Sequence, residues 1–332
     1  MPAKSARTLS RRELNRALLA RQLLLERGRA SLPRALEQIG GIQAQYARSM
    51  CVGLWSRLEG FDREDLTRAL EGRAVVQGTL MRATIHLVSA CDYRPLARAI
   101  GERRREWWIR VHPDGPRPRE MAVAAHRVRA FLADGPQRRA EIEALLGRPK
   151  ALGIGMWVDL IRAPPSGTWE RRRADLYALA EDWLGPADVK PAEDMDHLVR
   201  RYLSGFGPAA PADVANWAGL SLRDVAPVLE GLNLRRFRAG TGEELFDLPR
   251  APLPDPDTAA PVRFLPTWDS TLLARPAASS RKAPDEDLQH EDAPVAGDVP
   301  RRRHRRGDVE VRERTRDPRA IRPAGRVHPP GA

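Results

Sequence analysis

The segment Gly207-Pro-Ala-Ala-Pro-Ala-Asp-Val-Ala-Asn-Trp-Ala-Gly219 opens on a chain break, continues as a short helix and closes on a glycine. Gly207-Pro208 interrupts an upstream helical pattern running from Glu193 to Gly205, in which Leu198, Val199, Tyr202 and Leu203 share one side. Pro211 to Trp217 reads as a helix with Gly219 as its C-terminal cap, and Ser221 as the N-cap of another through Leu229. Leu232–Phe237 and Glu244–Leu248 then flank Gly240-Thr-Gly242, a hairpin signal. Three helices followed by a hairpin is the winged-helix order, here over residues 191–250.

The same spacing occurs earlier. Gly135-Pro136 stands before Glu141-Ile-Glu-Ala-Leu-Leu-Gly147, with the acid, the apolar positions and the closing glycine at the offsets of Asp213 and Gly219. A helix from Arg119 to Leu132 and a hairpin across Pro164-Pro-Ser-Gly167 complete a second unit over 117–190. Its second strand, Thr168–Arg173, carries Arg171, Arg172 and Arg173, which read equally as a DNA-facing wing or as a solvated strand face. A first unit spans 9–112. Its helices run from Leu9 to Leu25 with a Ser10/Glu13 capping box, from Ser31 to the Gly40-Gly41 break, and from Glu64 to Glu71 behind an Asp62 cap. Val75–Leu80 and Thr84–Val88 read as paired strands, with Arg82 in the turn and His86 on the second strand as candidate DNA contacts, although a strand histidine is usually structural. Arg103–Arg110 is a connecting helix whose Trp107-Trp108 pair suits a packed interface. The expected class is α+β, mainly helical with small hairpins in tandem winged-helix modules.

Between the second and third helical patterns of this unit lies Gly40-Gly-Ile-Gln-Ala-Gln-Tyr46. In an extended segment Gln43 and Gln45 point to the same side, so their carbonyls can converge on one water. A glutamine is no general base near neutral pH, so this chemistry needs a leaving group that departs readily. Taken alone, the tripeptide reads most simply as a polar turn.

Composition narrows the class. No apolar run approaches the length of a membrane span, and Met1-Pro-Ala-Lys-Ser-Ala-Arg7 has no apolar stretch behind it. Cys51 and Cys91 have neither metal-type spacing nor a disulfide framework, and the seven histidines form no ligand cluster. A protein without metal or cofactor, in a reducing cytoplasm, is expected. The net charge of +12 favours polyanions, and residues 1–274 keep 42 basic against 34 acidic residues, a balance of +8. Only Lys4, Lys150, Lys190 and Lys282 are lysines, a bias that fits a GC-rich gene and leaves the first half without a Schiff-base amine. No Walker-type loop is present. Residues 251–274 begin a C-terminal segment, and 275–332 contain no aromatic residue, which predicts a disordered Arg/Pro-rich tail.

Ile42-Gln-Ala-Gln45, Leu54-Trp-Ser-Arg-Leu58, Thr79-Leu-Met-Arg-Ala-Thr-Ile-His-Leu-Val88 and Arg263-Phe-Leu-Pro266 with Asp269 occur in this order. As a set they resemble the bacterial winged-helix family that includes the AlkZ- and YcaQ-like DNA glycosylases, over roughly residues 9–274. The resemblance implies a concave basic surface built by the tandem modules and a glycosylase site served by a Gln-x-Gln or Gln-x-Asp pair, here Gln43 and Gln45. It implies double-stranded DNA as partner, a monomer, and a nucleoid-associated location. A glutamine pair further points to alkylated (N7 or N3) or crosslinked purines, whose base is already a good leaving group, and to monofunctional hydrolysis. The competing reading is a non-catalytic DNA-binding protein such as a transcription regulator. After Ala274 the family continues with a strand-rich part, where this chain has the Arg/Pro-rich tail. An off-frame reading of GC-rich DNA gives such a composition; a genuine basic tail is the alternative.

Overall fold

Short polar and glycine breaks divide the chain into helices too short to stand alone, so their stability comes from packing. The structure, a computed structural model, describes residues 6–171, 174–185, 190 and 193–273. It begins with β1 (Thr8–Leu9) and α1 (Arg11–Arg21), where the Ser10/Glu13 capping box is present. Then α2 (Leu32–Ile39), β2 (Ile42–Gln43), α3 (Ala47–Arg57), α4 (Arg63–Glu71), β3 (Val75–Thr79) and β4 (Ile85–Ser89) follow. The long helix α5 (Ala90–Val111) leads into α6 (Pro118–Leu132), β5 (Gln137–Arg138), α7 (Arg139–Leu146), α8 (Arg148–Gly153), β6 (Leu160–Arg162), β7 (Leu176–Leu179) and α9 (Ala180–Leu184). Last come α10 (Asp194–Phe206), α11 (Pro211–Ala218), α12 (Leu222–Gly231), β8 (Arg235–Ala239), β9 (Glu244–Asp247) and α13 (Ser270–Leu273). The fold is α+β.

The same order appears three times: helix, short extended piece, two helices, hairpin. Each time the extended piece pairs with the second hairpin strand, as β2 with β4, β5 with β7, and Ala209 with Phe246 of β9. The first two hairpins also join edge to edge, Gln77 opposite Arg162 and Gly78 opposite Ile161. The result is one six-stranded sheet in the order β2-β4-β3-β6-β7-β5, and neither hairpin keeps that edge free. The third hairpin instead gains β1, parallel to β8.

The β2-β4-β3 strands are covered on both faces. One face sends Ile42, Val75 and Leu87 into a core with Leu36, Met50, Leu54 and Leu66 of α2, α3 and α4. Val76 and Val88 on the other face pack with Tyr93, Leu96 and Ile100 of α5, and with Leu198, Tyr202 and Trp217 of α10 and α11. Gly78 is required there, because a Cβ would overlap the Tyr93 ring.

Buried ion pairs fasten distant segments. Asp247 accepts from Arg21 at 2.6 Å and from Arg235 at 2.5 Å. Asp92 takes His197 and Arg201, both at 2.8 Å. The chain beyond β9 returns across the first unit: Arg16 donates to the Thr258 carbonyl, Arg263 to those of Leu24 and Leu25, and Ser56 to that of Phe264. Asp269 closes this return with a two-pronged pair to Arg57, at 2.8 and 2.9 Å.

Three expectations differ from the structure. The first helix starts at Arg11, because Thr8 and Leu9 are drawn into the third hairpin's sheet opposite Arg238 and Ala239, and it stops at Arg21, just before Leu23 takes a left-handed φ of 56°. Helix α3 has no counterpart in the sequence reading. Tyr46 gives it no side-chain cap, and its polarity runs against its burial: the exposed face carries Val52 and Trp55 beside Arg48, while Ser56 and Arg57 are buried, so no amphipathic stripe marks it. Thr168–Arg171 is not strand but part of a loop. Ser166 Oγ accepts from the Leu176 amide at 2.7 Å and Thr168 Oγ1 from that of Arg171 at 3.2 Å, so local side-chain bonds replace a ladder. Trp169 packs back on the first unit, with Arg48 at 4.9 Å over its ring. Arg172, Arg173 and the tail 275–332 lie outside the described residues.

Asp269→Ala should cost about 3–5 kcal/mol, because it leaves the buried Arg57 guanidinium without its counter-charge. Burial pushes the Asp269 carboxyl up, but the charge and hydrogen bonds of Arg57 outweigh it and hold the group below its ordinary value. The pair's contribution is therefore present above the unfolded value near 3.9 and lost as pH falls further. Calorimetry checks this, with loss of the exposed, solvent-screened Arg29–Glu59 pair as a control that should leave melting nearly unchanged. Equal melting of wild type and Asp269→Ala contradicts it.

Candidate active site

The Ala44 amide donates to the Ile85 carbonyl at 2.6 Å, setting Ile42 opposite Leu87 and Gln43 opposite His86. With Ala44 and Ile85 bonded, Gln43 and His86 form the non-bonded kind of antiparallel pair, whose side chains approach most closely. Ile42 and Ala44 enter the core against α3, so alternation turns Gln43 to the opposite face, where it is 7% exposed. Gln45 is half-buried, and its Oε1 is enclosed with no donor.

The β3–β4 turn reaches the same place. Arg82 and Ala83 both take left-handed backbone angles, with φ of 52° and 56°. From this turn Arg82 Nη1 donates to the Trp217 carbonyl at 3.0 Å, and Nη2 points to Gln43 Oε1 at 3.5 Å. Arg82 is half-buried, and burial pulls its guanidinium below its ordinary pKa. Sequence had assigned it to DNA; the structure brings it to Gln43 and Trp217.

His86 is corrected as a surface contact. It is 1% exposed, and its Nδ1–H donates to the Thr84 carbonyl at 3.0 Å. The enclosed Nε2 has no partner. Burial, helped by the charge on Arg82, pulls its pKa down to about 3, so the ring is neutral at physiological pH. Arg171 is exposed on the loop before β7, while Arg172 and Arg173 fall outside the described residues.

The structure thus gathers Gln43, Arg82 and His86 with Trp217, which sequence reading placed only in a helix. No local signal shows a backbone carbonyl serving a residue 135 positions away. Burial pushes the Cys51 thiol up to about 11, which keeps it from acting as a nucleophile. Among the described residues no cluster of His, Cys, Asp and Glu could hold a metal, and no helix is long and apolar enough to cross a membrane.

The depressed His86 pKa has a measurable consequence. As pH falls through about 6.5 the unfolded chain takes up a proton that the folded chain refuses until near 3. Between pH 7 and 5 this linkage should remove about 2 kcal/mol of stability, a loss that His86→Phe abolishes in urea titrations. Nitrogen NMR should show His86 in the Nδ1–H form throughout that range; an imidazole titrating near 6.5 contradicts this placement.

The family model of the AlkZ-like DNA glycosylases matches residues 36–307, a span that includes Gln43, Gln45, Arg82, His86 and Asp269. It runs beyond Ala274, where the resemblance read from sequence stops. No curated protein matches the sequence. Among solved structures, the DNA glycosylase AlkZ of Streptomyces sahachiroi superposes with a TM-score of 0.63 at 20% identity, over 73% of this chain and 70% of that one. At that identity the likeness speaks for the fold alone. The family model covers most of the sequence, and on that ground the chain belongs to the AlkZ-like family of DNA glycosylases.

Proposed function

We propose that this DNA glycosylase hydrolyses the N-glycosidic bond of alkylated (N7 or N3) or crosslinked purines in double-stranded DNA, with Gln43 and Gln45 at the reacting centre. The observation that carries the reading is the Gln45 Oε1, enclosed and without a donor two residues from a Gln43 that lies against Arg82. An enclosed carbonyl acceptor is costly unless something donates to it, and an attacking water fits.

Alkylation at N7 or N3 leaves the base cationic, so bond cleavage needs little acid assistance and passes through an oxocarbenium-like sugar. Two amide dipoles can orient the water and face the developing positive charge without first being deprotonated. Lys150 sits on α8 near Glu120, at 4.0 Å, and no lysine occurs between Lys4 and Lys150. That supports release of the base by water and not through a Schiff base.

The three repeated helix-and-hairpin units are read as winged helices that offer DNA a concave basic face. Arg171, with Arg172 and Arg173 beside it in sequence, would bind phosphates, so affinity should fall steeply with salt. The first hairpin is an exception, since its turn is spent on α11. Three units in one chain suffice without a partner copy, and a monomer acting on chromosomal DNA in the cytoplasm is the expected setting.

The test is base release from duplex DNA carrying N7-methylguanine. The full chain should release the base, and Gln43→Ala and Gln45→Ala should each slow release by about 10²–10³-fold, the usual cost of losing an oriented neutral donor or acceptor. Affinity for the duplex should stay within about twofold, since a neutral amide adds little phosphate attraction. Release at wild-type rates by both variants moves the site elsewhere. No release by the wild type from any alkylated duplex contradicts the substrate assignment.

A further inference from the structure

Arg82 and Ala83 occupy the two central positions of a tight hairpin turn, both with positive φ. Asn and Gly are the residues such a turn favours, and an arginine held there is an observed outlier that needs a cause. The surroundings supply one. Gly219, at φ 74°, ends α11 and lets that terminus close on the turn; a Cβ there would stand 3.4 Å from the Arg82 amide nitrogen. Trp217 lies in the last turn of α11, where carbonyls lack helical donors and carry the negative end of the helix dipole. Arg82 Nη1 fills one of them at 3.0 Å, acting as a cap from another unit. Its other terminal nitrogen faces Gln43 Oε1 at 3.5 Å. Among the described residues Arg82 makes no ion pair, so these two carbonyl oxygens are what its enclosed charge addresses.

We infer that Arg82 is a positioning residue of the glycosylase site, clamping the Gln43 carboxamide between β2 and the C-terminus of α11. The inference rests on the assignment of Gln43 above. A guanidinium donates and cannot accept, so it fixes which end of the amide is oxygen and takes one of its two lone pairs. The second lone pair and both Nε2 hydrogens are left for the water and the sugar. A free glutamine would sample several rotamers, and holding it in one is how a neutral group gains catalytic effect. The third unit thereby acts on the reaction through one carbonyl. In this role Arg82 works through Gln43, whereas a DNA phosphate contact would work without it.

The two roles separate in one experiment on the full chain, using N7-methylguanine duplex under single turnover. Arg82→Asn deletes the guanidinium with a residue that tolerates left-handed angles, so the turn survives. It should lower the saturated rate ten- to a hundredfold while leaving the duplex Kd within twofold and its salt slope unchanged. Arg82→Asn/Gln43→Ala should be no slower than Gln43→Ala alone, since a clamp is worthless without its amide. Arg82→Lys, able to reach one oxygen at a time, should recover part of the rate. A salt slope reduced by about one with an unaltered saturated rate identifies a phosphate contact and overturns the inference. Additive losses in the double variant overturn it as well. If Gln43→Ala is impaired but Arg82→Asn is as fast as wild type, the clamp is wrong and the glutamine site stands. A readout without turnover is the Gln43 side-chain NH₂ resonance of the free protein. It should move in Arg82→Asn, and an unmoved resonance counts against the clamp whatever the substrate.

Discussion

A single backbone bond, from the Ala44 amide to the Ile85 carbonyl, sets the register on which the candidate site rests. Side chains alternate with a period of two along β2, so a slip of one residue would carry Gln43 into the apolar core and Ile42 out of it. The slip is forbidden from both sides. Leu36, Met50 and Leu54 wait for Ile42 and Ala44 on one face, and Val88, Tyr202 and Trp217 crowd the other. Gly40 and Gly41, with φ of 77° and 80°, turn the chain from α2 into the strand, and at Gly41 the Val88 side chain and the Leu87 carbonyl leave no room for a Cβ. Gln43 is thus delivered to the side of Arg82 by apolar packing and not by any attraction of its own.

The same economy holds between units. Each repeated unit is small, and a hairpin with three short helices buries too little to be rigid alone. Joining β3 to β6 removes two sheet edges, and the shared core of α5, α10 and α11 removes two apolar faces. Buried Arg–carboxylate pairs then decide which segments may meet. Such pairs add little net stability against apolar replacements, but a wrong pairing would leave a charge buried without its partner. Asp247 joins Arg21 to Arg235, Asp92 ties α5 to His197 and Arg201 of α10, and Asp269 takes both prongs of Arg57 from a segment far away in sequence. An arginine-rich chain suits this, since its planar fork meets both carboxylate oxygens at once.

What sequence made legible was local. The caps at Ser10 and Asp62, the Gly219 terminus of α11 and the hairpin strands around residues 75–88 and 235–247 all stand where composition and spacing put them. The pairing of β2 with β4, the merging of two hairpins into one sheet and the recruitment of Thr8–Leu9 are contacts between distant segments, which no window of sequence displays. Helix α3 shows no amphipathic pattern because Val52 and Trp55 lie on its exposed face while Ser56 and Arg57 are buried, and the Arg171 segment is a loop because its side chains satisfy its own backbone. At the site the two glutamines were readable as a motif. The placement of Arg82 against Gln43 depended on α11 closing over the turn, and the burial of His86 on a strand paired along both edges. Family membership added the chemistry that a Gln-Ala-Gln tripeptide alone does not disclose.

The central claim is that the amides of Gln43 and Gln45 face a sugar that becomes positively charged. The direct measurement is binding to a duplex in which the target nucleoside is replaced by a cationic aza-sugar, compared with a duplex carrying a neutral abasic analogue. A site complementary to the transition state binds the cationic analogue more tightly, by a hundredfold or more. The account predicts that preference in the wild type and its loss in Gln43→Ala and Gln45→Ala, with affinity for the neutral analogue unchanged. Equal affinity of the wild type for both duplexes, or a preference that survives in both variants, would contradict it.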